Sequence, residues 1–168
     1  MGVIVYGDTN STLAGALAAS KLRIPVVHIE SGVRSFNMNM PEEINRILVD
    51  RISNIRVCVS DEALRNLESE GLDGGNLVCG DVMYDIFMKY KDIAIKRNSL
   101  PEGFKKNEYG LVTIHRQENT NDIILYSILL ALSEIPFNFI FPVHPRIKKF
   151  LEHKDFKNLL NKGNIKLI

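Results

Sequence analysis

The chain has no excess charge of either sign. Its 168 residues hold 21 lysines and arginines against 20 aspartates and glutamates, a net charge of +1. That balance gives no electrostatic case for nucleic acid or for a membrane surface. No apolar run reaches transmembrane length, so membrane insertion is not expected. The start lacks the charged n-region and long h-region of a signal peptide. Met1-Gly2 is followed at position 6 by Tyr6, where a myristoylation motif wants Ser or Thr. A cytoplasmic protein is the reading. Cysteine is scarce. Cys58 and Cys79 each fall inside an apolar strand-like run and read as buried, reduced thiols rather than a disulfide or a metal site. The four histidines show no metal-ligand spacing with them, so no metal is expected. No Gly-x-Gly-x-x-Gly follows the first strand, which argues against a dinucleotide cofactor there. No P-loop and no Ser-centred nucleophile elbow occur. Short-period repeats and low-complexity tracts are also missing.

What is present is ordinary for a globular protein, 45% hydrophobic and 24% charged. Strand and helix patterns alternate, which predicts βα units and parallel sheets. Strands are expected at residues 3–6, 24–30, 55–59 and 77–80. Helices are expected at 11–22, 41–52 and 61–70, with another from about residue 82. Pro41 opens the second helix, as proline favours the first helical position, and Ile44, Ile47 and Leu48 read as its buried stripe. Residues 96–108 are polar and broken by Pro101 and Gly103, the best linker candidate. Beyond it the pattern restarts, with strands at 109–115 and 138–143, helices at 121–134, after Pro145 and at 155–160, and a terminal strand. Residues 1–95 thus resemble the end of one Rossmann-like domain and residues 109–168 the beginning of another. A chain that starts and stops on strands reads as a piece of a longer protein.

Three acidic clusters stand where an α/β protein places its site: Gly7-Asp8-Thr9, His28-Ile29-Glu30-Ser31-Gly32 and Pro41-Glu42-Glu43. In open α/β sheets ligands sit beyond the carboxyl ends of the strands. Carboxylates converging there would repel each other and lose water, which raises their pKa and suits them to shuttle protons. Each has a plainer reading. Asp8 is placed to cap a helix. Glu30 is placed to form a salt bridge with Arg34. Glu42 and Glu43 are placed to compensate the helix dipole and to pair with Arg46. His28 reads as a satisfied core histidine. His115-Arg116-Gln117-Glu118-Asn119 follows the fifth strand, and its His and Arg suit an anionic ligand such as a nucleotide diphosphate. Pro142-Val143-His144-Pro145-Arg146 repeats the pattern one strand later.

Each signal is weak alone, but their order and spacing are specific. With Gly80-Asp81-Val82-Met83-Tyr84-Asp85, they resemble the non-hydrolysing UDP-N-acetylglucosamine 2-epimerase family over nearly the whole chain. The resemblance implies an α/β, GT-B-like fold, with two Rossmann-like parallel-sheet domains facing a cleft. It implies removal of the C2 proton while UDP leaves C1, then re-addition of UDP and proton return from the opposite face. It puts the catalytic groups at Asp8, Glu30, Glu42 and His115, and substrate contacts at Asp8, Glu30, His115 and Arg116. Some bacterial relatives bind a second UDP-sugar as activator, which makes Glu43, Arg116 and His144 regulatory candidates. A UDP-sugar substrate, no cofactor and a homodimer are implied. The segment Arg34-Ser35-Phe36-Asn37 resembles the branch acting on the diacetamido uronate analogue. The family's opening strand, with its nucleotide-facing Arg, and its C-terminal uracil-binding stretch have no counterpart here. Two other readings stay open: a GT-B sugar-nucleotide glycosyltransferase, and an inactive fragment acting as a binding module. The acidic set favours the epimerase, because glycosyl transfer needs no C2 deprotonation.

Overall fold

A computed structural model of the chain describes residues 1–97, 100–116, 119–161 and 163–168. Gln117 and Glu118 of the strand-end motif, and residues 98–99 of the expected linker, lie outside the described residues. The chain divides into two compact units, Met1–Lys96 and Arg97–Ile168.

The first unit runs β1 (Val3–Tyr6), α1 (Asn10–Lys21), β2 (Val26–Ser31), α2 (Pro41–Ile52), β3 (Ile55–Cys58), α3 (Asp61–Ser69), β4 (Asn76–Val78), α4 (Val82–Arg97). Its four strands form one parallel sheet in the order β1-β2-β3-β4. Parallel neighbours require a crossover, and each is a helix. Val5, Val26, Ala16, Ala19 and Val49 close the core between β1, β2, α1 and α2. Small residues on α1 let it pack closely: Ala16 and Ala19 are both buried. Cys58, Ala63 and Leu67 make a second cluster under α3. The helices start where side chains satisfy their orphan amides. Thr9 accepts from the Thr12 amide, Ser60 accepts from Ala63, and Pro41 occupies the first turn of α2.

The second unit runs β5 (Tyr109–Leu111), α5 (Asp122–Glu134), β6 (Asn138–Phe141), α6 (Pro145–Leu151), α7 (Lys154–Leu160), β7 (Ile165–Leu167). Its three strands are parallel in the order β5-β6-β7. Leu125, Leu129, Phe141, Ile147 and Phe156 fill its core.

Three sequence expectations are corrected. Ile44 and Leu48 are exposed, and the buried positions of α2 are Glu43, Asn45, Arg46, Val49 and Asp50. Apolar spacing misled because the inner face of this helix carries a polar network. Cys58 is buried but Cys79 is exposed, at the end of the edge strand β4, whose Leu77 and Val78 are exposed as well. The fifth strand stops at Leu111 instead of reaching His115, although the Val112 amide still donates to the Ile140 carbonyl at 2.9 Å. Among the described residues, no helix is long and apolar enough to cross a membrane.

Candidate active site

The site is built at the carboxyl ends of β1 and β2. Gly7 follows β1 with φ +68°, a conformation that favours glycine, and its amide donates to the Ile29 carbonyl at 3.0 Å. The chain then turns through Asp8 into α1. Thr9, not Asp8, is the N-cap, so the expected capping role of Asp8 falls to its neighbour. Thr12 tightens the turn by donating its hydroxyl to the Tyr6 carbonyl at 2.6 Å. The Asp8 carboxylate is left to face α2.

Glu30 reaches the same place from β2 by an irregular route. The β2–β3 pairing shifts register between Ile29 and Ser31, and Glu30 has φ +71°. A left-handed, non-glycine residue at a bulge costs about 1–3 kcal/mol and re-aims its side chain. Glu30 Oε2 lies 3.8 Å from where a Cβ on Gly7 would sit. The bulge therefore sets the carboxylate beside the β1 turn.

Arg46 joins the two acids. Its Nη2 donates to Asp8 Oδ2 and, at 3.0 Å, to Glu30 Oε1. This overturns three expectations at once. Glu30 pairs with Arg46, not Arg34. Arg46 pairs with Asp8 and Glu30, not with the glutamates one turn earlier on its own helix. The two carboxylates meet a shared cation rather than only each other, so unrelieved repulsion is not the state of the site. The Arg46 Nε is buried and has no partner among the described residues. The adjacent Asn45 donates its amide to the Asp8 carbonyl and to Asn10 Oδ1, both at 2.9 Å. One turn of α2 thus fixes Asp8 at its side chain and at its backbone.

Glu42 and Glu43 take different places. Glu42 is exposed at the start of α2, one helical turn from Arg46. Glu43 is buried and holds the loop before it. Its Oε2 accepts from the Ser35 amide and hydroxyl at 2.8 and 2.9 Å, and its Oε1 from the Phe36 amide at 3.0 Å. Burial pushes this carboxyl up, but the Ser35 and Phe36 donors and the Arg34 charge outweigh it and hold it below the ordinary range.

Tyr6 was not singled out in the sequence. It ends β1, 44% exposed. Its phenol is pushed up by burial, by the charge of Glu30 and a hydrogen bond to it, and by Asp81, against the opposing charge of Arg46. Its place immediately before Gly7-Asp8 was the available signal.

Behind the site runs a buried ionic chain. His28 Nδ1 lies 2.7 Å from Asp50 Oδ1, and Nε2 lies 2.9 Å from the Gly7 carbonyl. Arg34 Nη1 contacts Asp50 Oδ2 at 2.8 Å, and its Nε meets Glu70 Oε1 at 2.6 Å. His28 is thus the core histidine its position suggested.

In the second unit, His115 and Arg116 are both exposed just after β5. The His115 Nδ1 lies 3.2 Å from Thr113 Oγ1. The His144 ring is 6.1 Å from that of His115, and its Nδ1 accepts from the Arg146 amide at 3.2 Å, capping α6. The structure therefore unites Asp8 and Glu30 through Arg46, with Glu42 at the head of the same helix, and places His115 beside His144. Among the described residues no group of three or more His, Cys, Asp or Glu could hold a metal ion.

The chain is 49% identical, over 99% of its length and 48% of the relative's, to a UDP-N-acetylglucosamine 2-epimerase homolog of Methanococcus maripaludis. It is 48% identical to the UDP-2,3-diacetamido-2,3-dideoxy-D-glucuronate 2-epimerase of Pseudomonas aeruginosa, over 92% of the chain and 45% of that protein. The Methanocaldococcus jannaschii UDP-GlcNAc 2-epimerase, solved in complex with UDP-GlcNAc and UDP, superimposes with a TM-score of 0.78 at 37% identity. That match covers 99% of this chain and 48% of the other. The chain spans about half the length of the curated relatives it matches. Its fold is α/β with parallel sheets, of the GT-B-like kind those epimerases have. The profile of one family matches residues 2–168, and the chain belongs to that family, UDP-N-acetylglucosamine 2-epimerase.

Proposed function

We propose that the protein serves as a non-hydrolysing sugar-nucleotide 2-epimerase, interconverting UDP-N-acetylglucosamine and UDP-N-acetylmannosamine. The observation that carries the proposal is the Asp8–Arg46–Glu30 constellation at adjacent strand ends, reached through a left-handed glutamate. Inverting C2 requires one group to take its proton from one face and another to return a proton from the opposite face. Carboxylates supplied by different strands suit that task. The C2–H bond breaks as the C1–O bond to UDP breaks, leaving an unsaturated 2-acetamidoglucal. UDP then adds back at C1, and C2 is reprotonated. Asp8, Glu30 and Glu42 are proposed as the carboxylates and His115 as the further catalytic group. Asp8, Glu30, His115 and Arg116 are proposed as substrate contacts. The unpartnered Arg46 Nε supports the reading, because a buried donor without an acceptor is satisfied when a polar ligand arrives. Glu43, Arg116 and His144 are proposed for a regulatory UDP-sugar site. The protein is proposed to work in the cytoplasm as a homodimer.

A second substrate has its own support. The chain matches the diacetamido glucuronate epimerase at 48% identity. The segment from Arg34 to Asn37 is held by Glu43 and Glu70 on the same strand-end side as Glu30. The uronate nucleotide is therefore proposed alongside the N-acetylglucosamine one.

Proton NMR of each UDP-sugar with the protein as its gene encodes it, in the absence of an acceptor, tests the reading. Conversion of one C2 epimer into the other is expected. Sugar transfer to an added acceptor, with C2 configuration unchanged, would instead make it a glycosyltransferase.

A further inference from the structure

The partners of His28 determine its protonation. Its ring is completely buried and both nitrogens face oxygen acceptors. The Gly7 carbonyl at 2.9 Å from Nε2 has no hydrogen to give. The Asp50 carboxylate at 2.7 Å from Nδ1 is already committed as an acceptor. Its second oxygen takes Arg34 Nη1 at 2.8 Å and the Gly32 amide at 3.2 Å. A neutral imidazole would point a lone pair at one of these oxygens. A proton moved onto Asp50 would lose the charge-assisted contact with a fully buried guanidinium. Burial pushes the Asp50 carboxyl up, but its contacts with His28 and Arg34 prevail and hold it below the ordinary range.

We infer that His28 is an imidazolium in the folded protein and is a positioning residue, its Nε2–H holding the Gly7 carbonyl and thereby the turn that presents Asp8. Gly7 is the pivot of that turn. Its amide is tied to the Ile29 carbonyl and its own carbonyl to His28, so both of its hydrogen-bonding groups are fixed by β2. The relay Glu70–Arg34–Asp50–His28–Gly7 runs from the end of α3 to the residue before Asp8. A neutral ring would release one end of it. The catalytic consequence deepens the epimerase reading and rests on it. The protonation and the hold on Gly7 do not.

Nitrogen-15 NMR of the histidine-labelled chain tests the protonation directly at neutral pH. Both His28 ring nitrogens are expected to show bonded hydrogens. One bare nitrogen overturns the inference. Two variants separate the ring's two contacts. His28→Gln places an amide donor near the Nε2 position, and His28→Asn places one near Nδ1. The amide signals of Gly7 and Asp8 should shift in His28→Asn and stay close to their original positions in His28→Gln. Equal disturbance by both overturns the inference. In the epimerisation assay His28→Asn should lower kcat about 100-fold, the effect of a reacting group displaced by about 1 Å. KM should change less than about threefold, and His28→Gln should stay within about tenfold of the unaltered protein. A loss confined to KM in His28→Asn contradicts the positioning role. Absence of epimerisation in the unaltered protein would defeat the epimerase reading, and the ring-nitrogen and amide results would then decide the inference by themselves.

Discussion

Replacing Arg46 with methionine removes the cation from between Asp8 and Glu30 while keeping most of the side-chain volume. The guanidinium is 8% exposed, and the two carboxylates are 30% and 29% exposed. Breaking a fully buried pair by removing one partner costs about 3–5 kcal/mol. Here water still reaches nearly a third of each acid, so a loss of about 2–3 kcal/mol is the reasoned figure. With a urea slope of about 2 kcal/mol per molar, the unfolding midpoint should fall by about 1–1.5 M. Adding Glu30→Gln to Arg46→Met removes one of the two unbalanced charges and should restore part of the midpoint. A coupling of about 1–2 kcal/mol between the two positions is expected. An unchanged midpoint for Arg46→Met, or simple additivity in the double variant, would refute the view that Arg46 holds these acids together.

Acid should destabilise the chain through Asp50 and Glu43. Both carboxyls are held below their ordinary range, so the unfolded chain binds more protons than the folded one near pH 4. The stability they contribute is complete above about pH 5 and is lost as pH falls through the folded values. Urea midpoints measured from pH 6 to 3 should decline, and Asp50→Asn should decline less steeply from a lower start. Glu43→Ala removes the acceptors of the Ser35 and Phe36 amides, each bond worth about 0.5–1.5 kcal/mol because water reaches these exposed residues in its place. Hydrogen exchange at those two amides should quicken at least about tenfold. Gly32→Ala drives a Cβ into the Ala63 carbonyl at φ +76° and should cost more than about 2 kcal/mol, read as a lowered melting temperature. A variant that melts like the parent would mean the β2–α3 approach is looser than described.

The alternation of apolar runs and helical patterns was enough to read the parallel α/β architecture. Val3–Tyr6 and Pro41–Ile52 fall where the residues alone put them. The ends of β1 and β2 were legible too, because polar residues close their apolar runs at Gly7-Asp8 and Glu30-Ser31, whereas the end of β5 was not. The inner face of α2 was not legible. Periodicity assigns burial to Ile44 and Leu48, but Asn45, Arg46 and Asp50 turn inward because Asp8, Glu30, His28 and Arg34 supply partners from distant parts of the chain. Nor was the bulge at Glu30 legible. Its left-handed backbone has no glycine to announce it, and it exists only through the register shift with β3. Ion-pair partners followed the same rule. Spacing along one helix suggested that Arg46 meets Glu42 and Glu43, while the tertiary fold gave it acids from two other elements.

Solvent deuterium uptake at C2 of the UDP-sugar is the most direct measurement of the proton transfer proposed for these carboxylates. With the protein as its gene encodes it, in heavy water, the recovered sugar nucleotide should carry deuterium at C2. Glu30→Gln, which keeps the shape of the side chain but not its charge, should leave that position unlabelled. A sugar that returns without deuterium from the unaltered protein, for both the N-acetylglucosamine and the diacetamido uronate nucleotides, would contradict the account.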